Sequence, residues 1–535
     1  MTHNLLSDKQ SGYRKGHSAE LQLHHLTHNL YNSLDSRYDF TAIFLDISKY
    51  FDKIWHAGLL FKCEHEFGLS GKLLNWLRSY LSDRTQMVQI RNSLSTPLKI
   101  NAGCPQGSVL GPLLALIYLN DLSNRTKNNI LLFADDTSLY AAHTPENLHE
   151  VQRSLQLDLE EIEKYGREWI ITFNGNKTLQ QTFSFDNTHP TPTLNFDGLR
   201  IPTTDAHRHL GLTFSKDLRF QIHINDILCK ANKALSPLYP IARYLPRNTL
   251  DNIYKTYVRP YLDYCDTIYD GYITIKDTTR LETFQNRAAR LVTGTLFRTS
   301  SDKLRSELGW DKLQTRRKLH RLLLYRKIVT PVHHNIPNYI SHLLPRTRTL
   351  DTNRSLRNAY HHTQPNARTT LHQQSFFILT GKEWNNLPDV IKQLTYNDFK
   401  KDIIARICMP KPPQFYSYGP KRLNIIHTRI RTDMTTLNEH LYRIQKSETT
   451  NCACGHQHEN VAHYIFSCSM YNNQRDTLYN SIQHTLNYDL RQKPKPSQLE
   501  ILLHGMGLRG GVGRSVAEHF QKFLQTSGRF VVDHF

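Results

Sequence analysis

Apolar positions recur along the chain with two periods. In "SAELQLHHLTHNLYNSL" (18–34) they return every three or four residues, which predicts a helix. In "FTAIFLDISKYFD" the period changes. Ile43, Phe44 and Leu45 make a short buried strand that ends at Asp46, and a helix follows with Asp52 available to cap it. "GCPQGSVLGPLLALIYLNDL" (103–122) reads as a loop punctuated by Gly and Pro that feeds an apolar helix. "NNILLFADDTSLYAA" (128–142) reads as strand, tight turn, strand: a hairpin with Asp135 and Asp136 at its tip. A long amphipathic helix is expected over 145–168, and "WIITFN" (169–174) restarts a strand. Helices mixed with short strands in this order indicate α+β rather than a regular βαβ repeat.

The second half of the chain reads differently. Residues 225–330 look helical. Residues 331–372 are polar, with Pro331, Pro337, Pro345 and Pro365, and make the best linker candidate. A smaller module follows over 420–535. The expected organisation is 1–225, 226–330, 331–419 and 420–535, in line with the three or four domains that 535 residues suggest.

Charge narrows the function. A formal net charge of +20 favours a polyanionic partner, above all nucleic acid. No apolar run approaches the roughly 20 residues needed to span a bilayer, and the N-terminus lacks the pattern of a secretory signal. Five of the eight cysteines are scattered and three fall within 17 residues, so the chain reads as reduced and intracellular, with one candidate metal site.

Asp135 and Asp136 pose a physical problem. Adjacent like charges in a run that reads as buried repel each other and resist desolvation. Two Mg²⁺ ions would compensate them, since Mg²⁺ is hard, prefers oxygen and is held by carboxylates together with substrate phosphates. Such a site needs carboxylates arriving from two places. Asp46 at a strand end and Asp135 at a hairpin tip meet that need.

With these residues in view, the chain closely resembles the reverse transcriptase of LINE-type (non-LTR) retrotransposons, of the jockey-like branch. "SGYRKGHS" (11–18) looks like the second fingers block, "FLDISKYFDKIWH" like palm block A, the "PQG" segment like block B and "FADD" like block C. "WIITFNGNKT" (169–178) looks like block D and "HRHLGLTF" (207–214), with Gly211, like the primer-grip turn. The resemblance implies a right-hand polymerase with fingers, palm and a helical thumb. It also implies an RNA template, a DNA primer, deoxynucleoside triphosphates and two Mg²⁺ (or Mn²⁺) ions, and a location in nucleus and cytoplasm. Asp46 and Asp135, with Asp136 beside them, would hold the metal. The backbone at Ile47 would contact nucleotide phosphates, and Phe51 would sit under the sugar and collide with a ribose 2′-OH. The position before it, usually Ala in the family, is Tyr50. Gln106 would contact nucleotide and template. Lys177 would neutralise or protonate the leaving pyrophosphate. Of the basic residues expected to grip the triphosphate from the fingers, only Arg14 and Lys15 remain nearby, and Arg14 would contact the nucleotide. The resemblance also implies that the chain begins inside that block, with truncated fingers and impaired activity as the expectation. Two alternatives stay open: an RNA-dependent RNA polymerase, which Phe51 argues against, and a catalytically impaired nucleic-acid-binding relic.

Residues 280–327 carry 13 Lys/Arg against 4 Asp/Glu. In "RLETFQNRAARLVTG", Leu281, Phe284, Ala288 and Leu291 share one helix face and leave Arg287 and Arg290 on the surface, which suits a thumb contacting duplex phosphates. In the tail, "CACGHQHENVAHYIFSC" offers Cys452, Cys454, His463 and Cys468 as a tetrahedral Zn²⁺ set, with His456 and His458 as competing ligands. "YRIQ" and "YNNQR" flank it with aromatic and basic groups for single-stranded RNA. Three other patterns are decoys. "GMGLRG" (505–510) has too little chain after it to form a βαβ unit. Asp389, Asp398 and Lys400 imitate a nuclease at helical spacing. His24 and His28 read as part of a solvated helix face.

Overall fold

The computed structural model describes residues 5–186, 188–346 and 360–530. They fall into two compact units. The first takes in residues up to His223 together with Cys265–Ile273 and His320–Lys400. The second comprises Ile224–Tyr264, Thr274–Leu319 and the chain from Lys401 on. Among the described residues no helix is long and apolar enough to cross a membrane.

The first unit is built on helix α1 (Ala19–Asp35), strand β1 (Asp39–Leu45), helix α2 (His56–His65), helix α3 (Leu110–Leu119), strands β2 (Asn129–Phe133) and β3 (Asp136–His143), helix α4 (Leu148–Glu168), strand β4 (Leu179–Phe183) and the hairpin of β5 (Ala206–His209) and β6 (Leu212–Ser215). The four-stranded sheet runs in the order β2-β3-β1-β4, antiparallel throughout. Strand β1 is buried along its whole length because both faces are covered. Ile43 and Leu45 pack into a core with Leu114 of α3, Leu155, Leu159 and Ile162 of α4, and Leu139 of β3. On the opposite face Phe40 stacks on Tyr140, and Phe44 stacks on His207 of β5 with centroids 4.2 Å apart. This double burial explains why β1 reads as a continuous apolar run and not as an alternation.

Four details differ from the sequence reading. The short helix after β1, Tyr50–Lys53, is preceded by Lys49 with no side-chain cap, and Asp52 instead accepts a hydrogen bond from Gln106 Nε2 at 2.8 Å. "WIITFN" is not a strand. Helix α4 ends by turning sharply, with Ile170 at φ +55° and Ile171 N–H bonding back to Gly166 C=O. Ile171 and Phe173 then enter the core as single anchors, and the strand begins later, at Leu179. His24 does not face solvent. α1 is buried on several sides, and His24 lies among Thr267, Phe376 and Phe377, with His28 edge-on to Phe377. The segment read as a linker carries packed structure where it is described. The amides of Arg368 and Thr369 donate to Asp35, and just beyond the segment helix Phe376–Asn385 buries Phe376, Phe377 and Trp384. Residues 347–359 of that segment lie outside the described residues.

In the second unit, helix Ile275–Thr293 buries Leu281, Phe284, Ala288 and Val292, while Leu291 stays half-buried. A buried Arg247–Glu307–Arg431 triad with Thr428 joins the helical region to the C-terminal segment. The C-terminal core gathers Cys452, Cys468, Tyr464, Ile482, Leu502 and Phe520.

Candidate active site

The strand register decides which carboxylates meet. Leu45, the last residue of β1, pairs with Thr137, the second residue of β3. Asp46 therefore leaves β1 next to the β2–β3 turn, where Ala134 and Asp135 form a two-residue connection closed by the Phe133–Asp136 pair. Asp46 shares a strand face with Phe44, since alternate residues point the same way. Phe44, Asp46, Asp136, Lys177, His207 and Arg208 line one cleft of about 460 Å³. Asp46 is held from behind, where its carbonyl accepts from Asn174 N–H at 2.8 Å and Ser48 N–H donates to Thr172 C=O at 2.9 Å. Ile47 between them is buried and bridges Phe173.

The carboxylates perturb one another. Burial, and then the nearby Asp46 charge, pushes the Asp135 carboxyl above the usual carboxylate range. Asp136, exposed at the mouth of the cleft, is pushed up to about 6 by desolvation from the surrounding protein and then by repulsion from Asp135 and Asp46. Lys177 Nζ reaches Asp46 Oδ2 at 3.2 Å. One lysine at the edge leaves three carboxylates under-compensated, and a donor set made only of oxygens fits a hard divalent cation.

A second cleft of about 540 Å³ lies beside block B, lined by Lys49, Asp52, Arg84, Cys104, Pro105 and Gln106 among others. Gly103 N–H and Cys104 N–H donate to Ile54 C=O and Phe51 C=O at 2.8 Å each, pinning this loop to the turn after β1. Gln106 is oriented by Asp52. Phe51 is wedged between Tyr50 and Tyr13, both edge-on, at 5.8 and 6.0 Å. Tyr50 does not crowd the cleft. Its ring is buried and its hydroxyl donates to Ala115 C=O at 2.5 Å.

Sequence reasoning picked out Asp46, Asp135, Asp136 and Lys177, and these share one neighbourhood. Gly211 is the second residue of the β5–β6 turn, where Leu210 and Gly211 both take positive φ, as a type I′ hairpin requires. Arg14 stands elsewhere. Its guanidinium donates to the carbonyls of Ser7 and Gln10 and borders an apolar pocket. Gln10, Tyr13, Lys49, Arg84 and the His207 stack were missed. Tyr13 and Lys49 carried no pattern in sequence, although both take positive φ in the structure, an uncommon conformation for side chains of their size.

In the second unit, Arg287 is exposed and bonded to Asn232, while Arg290 is half-buried and leans on Phe297 and Thr299 C=O. Cys452 Sγ and Cys468 Sγ stand 3.7 Å apart, and Cys454 Sγ lies 3.3 Å from His463 Nε2. All four ligand atoms lie within 4.8 Å of one another. Zn–S bonds of about 2.3 Å give a tetrahedron edge of roughly 3.8 Å, so the spacing fits zinc. His456 stacks on His463 and its Nδ1 accepts from His458 N–H at 3.1 Å. Of the flanking motifs, Tyr442 is exposed, whereas Tyr471 is buried and Arg475 is occupied by the carbonyls of Ile465 and Cys468. "YNNQR" therefore serves the module's packing. Asp389 pairs with Lys392, and Asp398 bonds Thr395, both at helix starts, as their helical spacing suggested.

Carboxylates gathered at the ends of two adjacent antiparallel strands, opening on a cleft beside a lysine, are the arrangement expected of a polymerase palm. Residues 1–214 match the family described as "Reverse transcriptase (RNA-dependent DNA polymerase)". The chain is 31% identical to the probable RNA-directed DNA polymerase from transposon BS of Drosophila melanogaster, over 54% of this chain and 33% of that protein. It is 30% identical to the probable polymerase from transposon X-element of the same organism, over 54% and 32%. Identity to the RNA-directed DNA polymerase from mobile element jockey, also of Drosophila melanogaster, is 28% over 57% and 34%. Residues 1–214 are thus similar to reverse transcriptase domains, and the chain is similar to the polymerases of jockey-like mobile elements. It spans about a third of the length of these relatives.

Proposed function

We propose that this chain is an RNA-directed DNA polymerase that adds deoxynucleotides to a DNA primer 3′-OH on an RNA template. The observation that carries this reading is the Leu45–Thr137 register, which sets Asp46 against the Asp135–Asp136 turn beside Lys177. Asp46, Asp135 and Asp136 would hold two divalent ions, Mg²⁺ or Mn²⁺. When bound, such ions lower the pKa of the attacking hydroxyl and stabilise the charge that builds on phosphorus. Lys177, already at Asp46, is placed to meet the negative charge of the leaving pyrophosphate. Phe51, held edge-on by two tyrosines, selects the deoxyribose. Gln106, fixed by Asp52, and the Ile47 backbone position the nucleotide. The hairpin carrying Gly211 seats the primer end.

Residues 1–225 serve as fingers and palm, 226–330 as thumb, 331–419 as a connection region and 420–535 as a C-terminal module. In the last, Cys452, Cys454, His463 and Cys468 hold a structural Zn²⁺. Arg287 and Arg290 contact backbone phosphates of the template–primer.

The test is primer extension on RNA and DNA templates by the purified chain, with Asp135→Asn as control. Losing one strong electrostatic contact, roughly 3 kcal/mol, should lower extension at least about 10²-fold. Near-normal extension by a folded Asp135→Asn chain would sink the assignment. Tight primer–template binding without extension by the wild type would favour the nucleic-acid-binding relic.

A further inference from the structure

The catalytic turn is not held by its own hairpin alone. Ala134 takes φ +57°, a left-handed conformation disfavoured for a residue with a Cβ. It immediately precedes two carboxylates that repel each other. Its backbone is nevertheless buried and fully paired, because Gln10, just ahead of the 11–18 block, reaches it. Gln10 Oε1 accepts from Ala134 N–H at 2.9 Å, and Gln10 Nε2 donates to Ala134 C=O at 3.1 Å. The same Oε1 accepts from Gly12 N–H at 2.8 Å. This pattern fixes which end of the amide is oxygen, since two N–H donors meet one end and a carbonyl meets the other.

The surrounding chain reinforces the contact. Ser11 N–H donates to Leu132 C=O at 2.8 Å and Leu132 N–H donates to Lys9 C=O at 2.9 Å, so residues 9–11 run as an extra edge partner of β2. Gly12 has to lack a side chain there, because a Cβ would come within 2.3 Å of Ala134 N. Gln10 itself is 1% exposed.

We propose that Gln10 is a positioning residue for the metal-binding carboxylates: it locks the Ala134 turn in the conformation that sets Asp135 and Asp136 beside Asp46. This deepens the polymerase reading and rests on it. Without the amide, Ala134 would leave a buried N–H and C=O unpaired or relax to negative φ, and either change would re-aim Asp135.

The test uses the full chain and two variants. Gln10→Met removes all three bonds at similar volume. Gln10→Asn keeps the amide one methylene short of the turn. Mn²⁺ binding is measured by the electron paramagnetic resonance signal of free Mn²⁺, alongside the Mg²⁺ dependence of primer extension, with Asp135→Asn as reference. Both Gln10 variants should weaken Mn²⁺ binding about tenfold and raise the half-saturating Mg²⁺ concentration by a similar factor, with KM for primer–template unchanged. If Asp135→Asn loses Mn²⁺ binding while the folded Gln10 variants bind like wild type, the positioning role is wrong and the site reading stands. If Asp135→Asn binds Mn²⁺ like wild type, the site reading itself fails, and the proposal with it. A lower unfolding midpoint with unchanged metal affinity would mean Gln10 serves stability only, and would overturn the proposal too.

Discussion

Helix α1 should weaken in mild acid, and His24 should account for much of the effect. Its ring is 1% exposed, with Phe376 packed at 4.1 Å, Phe377 beyond it and His28 one turn along. Its Nε2 lies 2.8 Å from Thr267 Oγ1, which donates its own proton to Glu20 at 2.6 Å. Thr267 therefore accepts from His24 Nε2–H, the neutral tautomer. Burial, and then the neighbouring His28, pulls the His24 pKa down to about 3. A depressed folded pKa gives stability that is fully present above the unfolded value, about 6.5, and is lost as pH falls toward the folded one. Between pH 7 and 5 the unfolded imidazole takes up a proton that the folded one refuses, a cost of about 2 kcal/mol or roughly 25-fold in the opening equilibrium. Burial lowers His25 and His28 to about 4 each, so both act in the same direction. Glu20, raised by burial, opposes the trend. The assay is hydrogen exchange of the α1 amides at pH 7 and pH 5, corrected for intrinsic rates, in wild type and in His24→Gln. Wild-type protection should drop at least about 25-fold, and the variant should lose that share of the pH dependence. Equal pH dependence in the two chains would refute the argument.

Other expectations follow from the same geometry. Phe51→Val should raise ribonucleotide over deoxynucleotide incorporation by roughly 5- to 150-fold, since forcing a group into a packed site costs about 1–3 kcal/mol; an unchanged ratio with activity intact would clear Phe51 of the role. Changing Arg287 and Arg290 to Ala should flatten the log K against log salt slope for duplex binding by about one unit rather than two, because Arg290 is half-buried against its own chain. An unchanged slope would place both on an idle face. The full chain should carry about one Zn²⁺ by metal analysis, and Cys468→Ser or a chelator should expose residues near 452–468 to protease. Purified reduced protein without zinc would rule the centre out.

The residues of the carboxylate site could be read from the chain itself. Two adjacent aspartates inside an apolar run, and a third ending another, conflict with burial unless something compensates them, and that conflict is visible without coordinates. The helix–strand periodicity placed α1, β1, the β2–β3 hairpin and α4 for the same local reason. Tertiary packing decided the rest. The sequence left α1's histidines on a solvated face, because a histidine's pattern does not say how many sides of its helix are covered. It made a strand of "WIITFN", because Ile171 and Phe173 have strand-like character but act as separate anchors after a helix turns out. It gave "YNNQR" to nucleic acid, although Tyr471 and Arg475 are consumed by the fold. Arg14 had the right charge near the site, but its guanidinium closes a loop instead. Gln10 is the clearest case. A glutamine in a polar stretch has no period, charge or motif to mark it. Its meaning comes from Ala134, 124 residues away, whose buried backbone needs one donor and one acceptor in the plane of a single amide. Periodicity and charge are local and survive in one dimension. Pairing a strained turn across the chain is a property of register, and register exists only once the strands have met.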